Sequence, residues 1–287
     1  MMRAMHRFLV VFALGGVLAL TACSTRPTVS TQPLESSPSA SPSLTATPAP
    51  EPSLAPTRAP FPKASPVASV AGWQTLASEH WTGYTFPASG VTGVRAQWSE
   101  PTVTGAFRAE EFIWVGIGGW NETVQNIIQI GTFAYFPGGN QIHQGIWYQL
   151  IPGLRHPYYP LIGVNPGDEI AASIVQLRPQ KWRMSLTDVS NGETFVKTVH
   201  FDSLGAYPSF VVEDPNRGAV GLSGPFYAFP HWGKVPFRSM EICIAGRWKP
   251  AASIYGYRIQ MIRNGHMLAA AVPLNKRSGF LAKQTSP

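Results

Sequence analysis

Short runs of β-branched and aromatic residues alternate with Gly, Pro, Asn and Asp along the chain from Gly72 onward. Examples of these runs are Phe112–Val115, Ile127–Ile130 and Phe210–Val212. No apolar pattern persists at helical spacing over four turns, and the turn signals between runs suit antiparallel connections. The pattern predicts an all-β domain, built as a two-sheet antiparallel β-sandwich because two packed sheets are the usual way to bury so many strands.

Three consecutive runs near the middle of this domain predict a meander. They are Glu169–Gln176, Lys181–Thr187 and Thr194–Val199. Polar and apolar residues alternate in several of them, and such alternation is typical of strands that bury one face and expose the other. We therefore expect one face of these three strands to meet water.

The first 22 residues have a different pattern, in which Arg3 and Arg7 precede an apolar run over Phe8–Leu20 and small residues lead to Cys23. This order predicts a secretory signal peptide. The residues Leu20–Cys23 resemble the lipobox of bacterial lipoproteins, which implies that Cys23 carries a lipid that holds the protein on the extracytoplasmic side of a bacterial membrane. An uncleaved anchor helix fits less well, because a polar segment begins directly after Cys23.

Residues 23–71 are dominated by Pro, Ser, Thr and Ala, and they predict a disordered, extended tether because they cannot bury enough apolar surface to fold. The predicted organisation is completed by the β domain over residues 72–272 and a short tail over residues 273–287. With Cys23 lipidated, Cys243 is the single remaining thiol, so no internal disulfide is expected. In its strand-like setting, that thiol is expected to be a small buried hydrophobe.

The balance of charge excludes one class of partner. Removal of the leader lowers the formal net charge from +7 to +5, so the protein stays basic. No basic run is dense enough to follow a nucleic-acid backbone, and the excess instead suits anionic lipid or cell-wall polymers. We predict a monomer that binds no nucleic acid.

Common catalytic signatures are missing from the sequence. It contains no Gly-x-Ser-x-Gly, no His-Glu-x-x-His, no Walker loop and no Gly-x-Gly-x-x-Gly, and its seven histidines lack metal-ligand spacing. Serine-nucleophile, zinc and nucleotide chemistry are therefore disfavoured. We expect no metal and no cofactor.

Two segments carry more information. The sequence WVGIGGW at residues 114–120 is followed by NIIQIG at residues 126–131, and SFVVED occupies residues 209–214. These segments resemble the core motifs of the glutamic peptidases, or eqolisins. Further matches follow in the same order, at Trp81, Trp98–Pro101, Trp147–Pro152, Gly167–Ile170 and Trp232–Phe237. The resemblance implies a lectin-like sandwich, a polypeptide substrate, and a catalytic dyad carried here by Gln129 and Glu213.

The two residue types suit peptide hydrolysis. Glu213 is expected to take a proton from water and return it to the leaving amine, while the Gln129 amide holds that water and donates to the oxyanion. Strand alternation puts Ser209, Val211 and Glu213 on one face of their strand and Ile127 and Gln129 on one face of theirs. The pair can act together only if these distant strands become neighbours.

Four aromatic residues are candidates for substrate binding, with a place in the core as the alternative. They are Trp81, Trp114, Trp147 and Tyr148. Large aromatic side chains fill the interiors of sandwiches in any case, so the sequence leaves both roles open for them.

Two positions depart from the family pattern. Gly118 and Gln149 stand where fungal members have acids. With fewer neighbouring carboxylates, Glu213 is expected to ionise more easily, and activity is expected at mildly acidic to neutral pH.

Two other functions remain open from the sequence. A non-catalytic, lectin-like module that binds carbohydrate or peptide at the cell surface would also explain the 11% aromatic content. A glycosidase is less well supported, because it needs two facing carboxylates and only Glu213 is nominated.

Overall fold

The computed structural model describes residues 67–70, 73–120, 126–138, 141–154, 156–215, 226, 228–273 and 275–285. The predicted signal peptide, Cys23 and the predicted tether up to residue 66 lie outside these residues. Within the described part of the chain, no helix has the length and apolar character needed to cross a membrane.

The regular secondary structure of the described chain is almost entirely β-strand, which confirms the all-β prediction. The strands are β1 Val67–Val70, β2 Trp73–Ser78, β3 Trp81–Thr85, β4 Val91–Ser99, β5 Glu110–Gly118, β6 Ile127–Gly138, β7 Gln141–Ile151, β8 Glu169–Arg178, β9 Lys181–Asp188, β10 Thr194–His200, β11 Pro208–Glu213, β12 Lys234–Ile244, β13 Arg247–Pro250, β14 Tyr257–Arg263, β15 His266–Ala271 and β16 Phe280–Gln284. A single turn of 3-10 helix, Ala251–Ser253, is the only helix among the described residues.

Hydrogen bonds join the strands into one sheet. Its main path runs β10-β9-β8-β4-β12-β16-β15-β14-β3-β11-β5-β6-β7. The pairs are antiparallel except for β2 and β14, which are parallel. Three strands lie off this path: β1 pairs with β2, β2 with β14, and β13 with β12.

The sheet extends past both predicted ends of the domain. Strand β1 falls within the range assigned to the tether, and it pairs with β2. Strand β16 falls within the range assigned to the tail, and it pairs with both β12 and β15. The sheet therefore includes Val67–Val70 at one end of the described chain and Phe280–Gln284 at the other.

The predicted meander is present as β8, β9 and β10, which pair in sequence order. Burial alternates along β9, where Trp182, Met184 and Leu186 are buried. Between them, Arg183 is exposed and Ser185 is half-buried. This alternation confirms that one face of the meander meets water.

The two ends of the strand path share one apolar core. Val94 of β4 and Ile174 of β8 belong to the same buried cluster as Ile113 of β5, Ile130 of β6 and Phe210 of β11. These strands are far apart along the hydrogen-bonded path, so the sheet must curl for their side chains to meet. Burying this surface is the main source of stability, since the described residues contain no disulfide.

Strands β5, β6 and β11 are covered on both faces. Every residue of β5 after Glu110 is buried. One face contributes to the large core, and the other carries a second apolar cluster. Its buried members are Phe112, Trp114, Ile127, Trp147 and Val211. The residues nominated for catalysis lie on this second face.

Candidate active site

Strand β5 lies between the strands that carry the two nominated catalytic residues. On one side Glu213 of β11 pairs with Phe112, and on the other side Gln129 of β6 pairs with Gly116. Phe112 and Gly116 are four residues apart, an even number, so they point to the same face of the sheet. Because paired residues share a face, Glu213 and Gln129 also lie on one face. Their strands are not neighbours, however, since β5 separates them, so the condition that the sequence set for joint action is met only in the weaker form of a shared face.

Two indole N–H groups hold the Glu213 carboxylate. Trp114 Nε1 donates to Glu213 Oε2 at 2.8 Å. Trp81 of β3, which is the partner of Glu213 in the β3–β11 pair, also donates to it. The two indoles pack edge to face with ring centroids 5.1 Å apart. Glu213 therefore has a fixed orientation before any substrate binds.

Burial raises the pKa of Glu213 from 4.5 to about 7, even though the two indole hydrogen bonds lower it, and the negative charge of Asp214 adds to the rise. The sequence-based expectation of easy ionisation is therefore wrong. It counted neighbouring carboxylates, whereas the largest effect on this pKa is removal of the carboxylate from water. A carboxyl group with a pKa near 7 can both accept and return a proton at neutral pH.

The Gln129 amide is oriented by its neighbour. Gln129 is 6% exposed, and its Nε2 donates to Gln149 Oε1 at 3.4 Å. Gln149 Nε2 in turn donates to the backbone oxygen of Leu154 at 3.3 Å. Gln129 Oε1 is buried and has no hydrogen-bond partner among the described residues. One acceptor and the second hydrogen on Nε2 are therefore free to bind another group.

Two glycines allow close contacts around Trp114, which lies between the two nominated residues. A Cβ atom on Gly116 would lie 2.9 Å from the Trp114 ring and 3.2 Å from Gln129 Cβ. A Cβ atom on Gly131, which pairs with both Trp114 and Trp147, would lie 1.8 Å from the backbone oxygen of Ile113. Gly116 therefore leaves room for the Trp114 indole, and Gly131 allows the backbones of β5 and β6 to approach closely at Trp114.

A sequence profile described as Peptidase A4 family matches residues 79–278, which is more than half of the chain. The chain belongs to the peptidase A4 family. It is a peptidase of the glutamic type, and therefore a hydrolase.

Solved structures of glutamic peptidases share this fold. Scytalido-glutamic peptidase with a peptide-based transition-state analogue is 20% identical, with a TM-score of 0.61, and the match covers 72% of this chain and 98% of that one. SCP-B of the eqolisin family, in complex with the tripeptide Ala-Ile-His, is 19% identical, with a TM-score of 0.60 and the same coverage. Aspergilloglutamic peptidase from Aspergillus niger is 20% identical, with a TM-score of 0.51, covering 62% and 99%. None of the curated protein sequences matches this chain.

The four aromatic residues nominated for substrate binding occupy different places in this A4 peptidase. Trp81 is half-buried on the face that carries Glu213. Trp114 and Trp147 lie on the same face but are 0% and 2% exposed, so they form the floor of the site and cannot line an open groove. Trp147 Nε1 donates to the backbone oxygen of Thr132 at 2.9 Å.

Tyr148 does not belong to the site. It pairs with Ile130, so it points to the opposite face from Gln129, and it joins the large core. Its ring lies 5.2 Å from that of Tyr158 and 5.8 Å from that of Phe195. Counting from Gln149 along the strand would have revealed this, because neighbouring residues in a strand point to opposite faces.

One acid on the site face was missed from the sequence. Glu110 begins β5 and shares a face with Phe112, so it is a diagonal neighbour of Glu213. Burial raises its pKa to about 7, and the charges of Glu213 and Asp214 add to the effect. Its sequence context gave no signal, since a glutamate before a strand is normally a solvated residue.

Asp214 secures the strand end behind Glu213. Its carboxylate accepts a hydrogen bond from Arg263 at 2.6 Å, and the Asp214 side chain is 1% exposed. Its backbone N–H donates to the oxygen of His80. The guanidinium of Arg263 also stacks on the ring of Phe226. Three chain segments are therefore tied together next to Glu213. The described residues contain no group of three or more His, Cys, Asp or Glu side chains arranged to hold a metal ion.

Proposed function

We propose that this A4 peptidase is an endopeptidase in which Glu213 and Gln129 together activate a water molecule, with no covalent intermediate. The observation that carries the proposal is their placement on one face of strands that flank β5. The Trp114 indole lies beside both residues, since it donates to Glu213 and its ring packs against Gly116, which pairs with Gln129.

The proposal requires the sheet to be curved at the site. In a flat sheet, two strand spacings and a four-residue offset would separate the two Cα atoms by about 10 Å across and about 13 Å along the strands. A shared water therefore requires both long side chains to extend toward each other over Trp114, on a sheet face that curls inward.

The chemistry then follows from the free atoms. Ionised Glu213 takes a proton from the water while Gln129 Oε1 accepts the other hydrogen of that water. The oxygen of the water bonds to the carbonyl carbon, and the free hydrogen on Gln129 Nε2 donates to the resulting oxyanion. Protonated Glu213 then gives its proton to the leaving nitrogen as the C–N bond breaks. Glu213 returns to its ionised form.

Cleavage assays on the full chain test the dyad directly. Glu213→Gln and Gln129→Ala should each lower kcat for a denatured protein substrate by at least about a hundredfold, because each removes a transition-state contact. Glu193→Gln, at an exposed position after β9, is the matched control and should keep full activity. Cleavage that survives Glu213→Gln would overturn the dyad, and substrate binding without any cleavage would favour the binding module.

We further propose the finer arrangement that the sequence predicts. The curled sheet forms two packed layers, as in a sandwich, which is supported by the core that β4 and β8 share with β5 and β6. The protein acts as a monomer, binds no nucleic acid and needs no cofactor. A single species at the monomer mass in light scattering would support the monomer.

Secretion and lipid anchoring rest on the leader pattern alone. We propose cleavage after residue 22 and a lipid on Cys23, so that the peptidase works at the outer side of a bacterial membrane. Cys23→Ala should move the protein from the membrane fraction to the soluble fraction. Mass spectrometry of the native N-terminus would contradict the proposal if it found an intact leader.

A further inference from the structure

Glu110 is a half-buried carboxylate that extends the site beyond Glu213. Along β5, the residues on the site face follow the order Glu110, Phe112, Trp114 and Gly116. Phe112 pairs with Glu213 and Gly116 pairs with Gln129. Glu110 therefore lies on the far side of Glu213 from Gln129, at a diagonal position where side chains are within about 8 Å.

No cation of the described chain pairs with Glu110. The three ion pairs among the described residues are Arg95–Glu241, Arg238–Glu169 and Arg263–Asp214. The nearest arginine in sequence, Arg108, is exposed and stacks on the ring of Phe107. A negative charge at Glu110 therefore stays unmatched within the described structure.

Aromatic rings surround this carboxylate on the same face. Tyr135 of β6 pairs directly with Glu110, and Phe133 pairs with Phe112. Tyr135 and Phe133 are half-buried, so each presents part of its ring to the site. A carboxylate next to aromatic rings suits the side chain of Lys or Arg, whose charge pairs with the acid while its methylene groups lie on the rings.

The opposite end of the face has different chemistry. Beyond Gln129, Ile127 of β6 pairs with Ile151 of β7, and both belong to the small apolar cluster. Charge is therefore concentrated at the Glu110 end. A peptide that covers Glu110 removes its remaining water, which is costly for an unpaired charge and is offset by a cation.

On the basis of the proposed function, we infer that Glu110 is a specificity-determining residue that favours substrates with Lys or Arg beside the scissile bond, on the side of Glu213 away from Gln129. The substrate class is thus basic polypeptides. The preference comes from this one carboxylate, because Glu213 must serve the reacting water.

Paired peptides that differ only by Arg or citrulline test the inference, since citrulline keeps the shape and loses the charge. The full-length protein should show a kcat/KM ratio of about ten for Arg over citrulline at one position. Glu110→Gln should bring that ratio close to one. Glu193→Gln changes net charge equally at an exposed position and should keep the ratio. A ratio near one in the unaltered protein, or a ratio unchanged in Glu110→Gln, would overturn the inference.

Two further measurements separate this inference from the proposed mechanism. Calorimetric binding of Arg and citrulline peptides, with an uncleavable hydroxyethylene link in place of the scissile amide, to the full-length protein reports on Glu110 even if the dyad is wrong. In the unaltered protein, the Arg preference should shrink as the salt concentration rises from about 0.05 M to about 0.5 M, because salt screens an ionic contact. A preference that does not respond to salt contradicts the inference even where Glu110→Gln fails to fold.

Discussion

The β8–β9–β10 meander and the β11–β5–β6 segment are both antiparallel, but the first exposes polar side chains to water and the second buries them. In the meander, Ser173 and Ser185 hydrogen-bond to each other at 2.8 Å on the face that meets water. In the β11–β5–β6 segment, an aromatic cluster covers the second face and leaves Glu213 and Gln129 with little water. The difference shows how the same backbone pattern becomes reactive, because desolvation of a carboxylate changes its proton affinity.

The largest difference in stability between the two regions is expected from a substitution at Gly131. Gly131→Ala should destabilise the protein by at least about 3 kcal/mol, because the added methyl group meets backbone oxygen and there is no space for it. Ser185→Ala in the meander removes only the hydrogen bond to Ser173 and should cost about 1 kcal/mol or less. Urea unfolding measures both changes.

A further glycine provides the control for this experiment. A Cβ atom on Gly163 would meet nothing within 4 Å, so Gly163→Ala should change stability by about 0.5 kcal/mol or less. Equal losses for Gly131→Ala and Gly163→Ala would contradict the tight contact between β5 and β6.

The buried acids predict an unusual dependence of stability on pH. Burial raises the pKa of Glu100 from 4.5 to about 7 and raises that of Glu111 well above 4.5. The folded state holds protons on these acids that the unfolded chain releases above about pH 4.5. Their contribution to the free energy of unfolding is therefore fully present below that pH and is lost as pH rises through about 7. Glu100 alone contributes on the order of 3 kcal/mol to this decline.

Denaturation midpoints at pH 5 and pH 8 check the direction. The midpoint should be higher at pH 5, and Glu100→Gln should reduce the difference because the amide cannot ionise. Ser185→Ala, in the meander, should leave the difference unchanged. A protein that is more stable at pH 8 than at pH 5 would refute this account of the buried acids.

A smaller effect is expected from substituting one buried tryptophan in each region. Trp114 donates to a carboxylate at 2.8 Å, whereas Trp182 of β9 donates to the backbone oxygen of Phe201 at 3.0 Å, and both are buried. Trp114→Phe removes a bond that lowers the pKa of Glu213, so that pKa should rise and kcat/KM at pH 5.5 should fall about tenfold, with less loss at pH 8. Trp182→Phe should lower stability alone.

The pH profile of kcat/KM distinguishes the two roles. If Trp114→Phe lowered kcat/KM by the same factor at every pH, its indole would hold the shape of the floor without affecting the proton affinity of Glu213.

The sequence predicted the meander well, because its strands alternate clearly. Alternation is strong in β8 and β9, and its period is enough to locate both strands. Alternation also gave the residues that share a face with Gln129 and with Glu213 within each strand. That the two faces coincide could not be predicted, because it depends on the pairing of both strands with β5.

Other features depended on contacts that join distant parts of the chain. The two indole donors to Glu213 come from β3 and β5, and nothing local in the sequence marks Trp81 or Trp114 as a donor. The buried Glu100 is satisfied by Thr132, which donates to it at 2.8 Å across 32 residues. The rise in the pKa of Glu213 could not be predicted either, because it depends on how completely the aromatic cluster excludes water.

Strand β11 lies between β3 and β5 in the sheet, although it begins 90 residues after the end of β5, at Pro208 against Gly118. A growing chain that ends before Pro208 lacks Glu213 and leaves a gap between β3 and β5. Insertion of a late strand between two early ones is a long-range step, and such steps are slow in folding. Under the proposed mechanism, the enzyme therefore cannot digest its surroundings until this closing strand is in place, so the order of synthesis itself delays proteolysis.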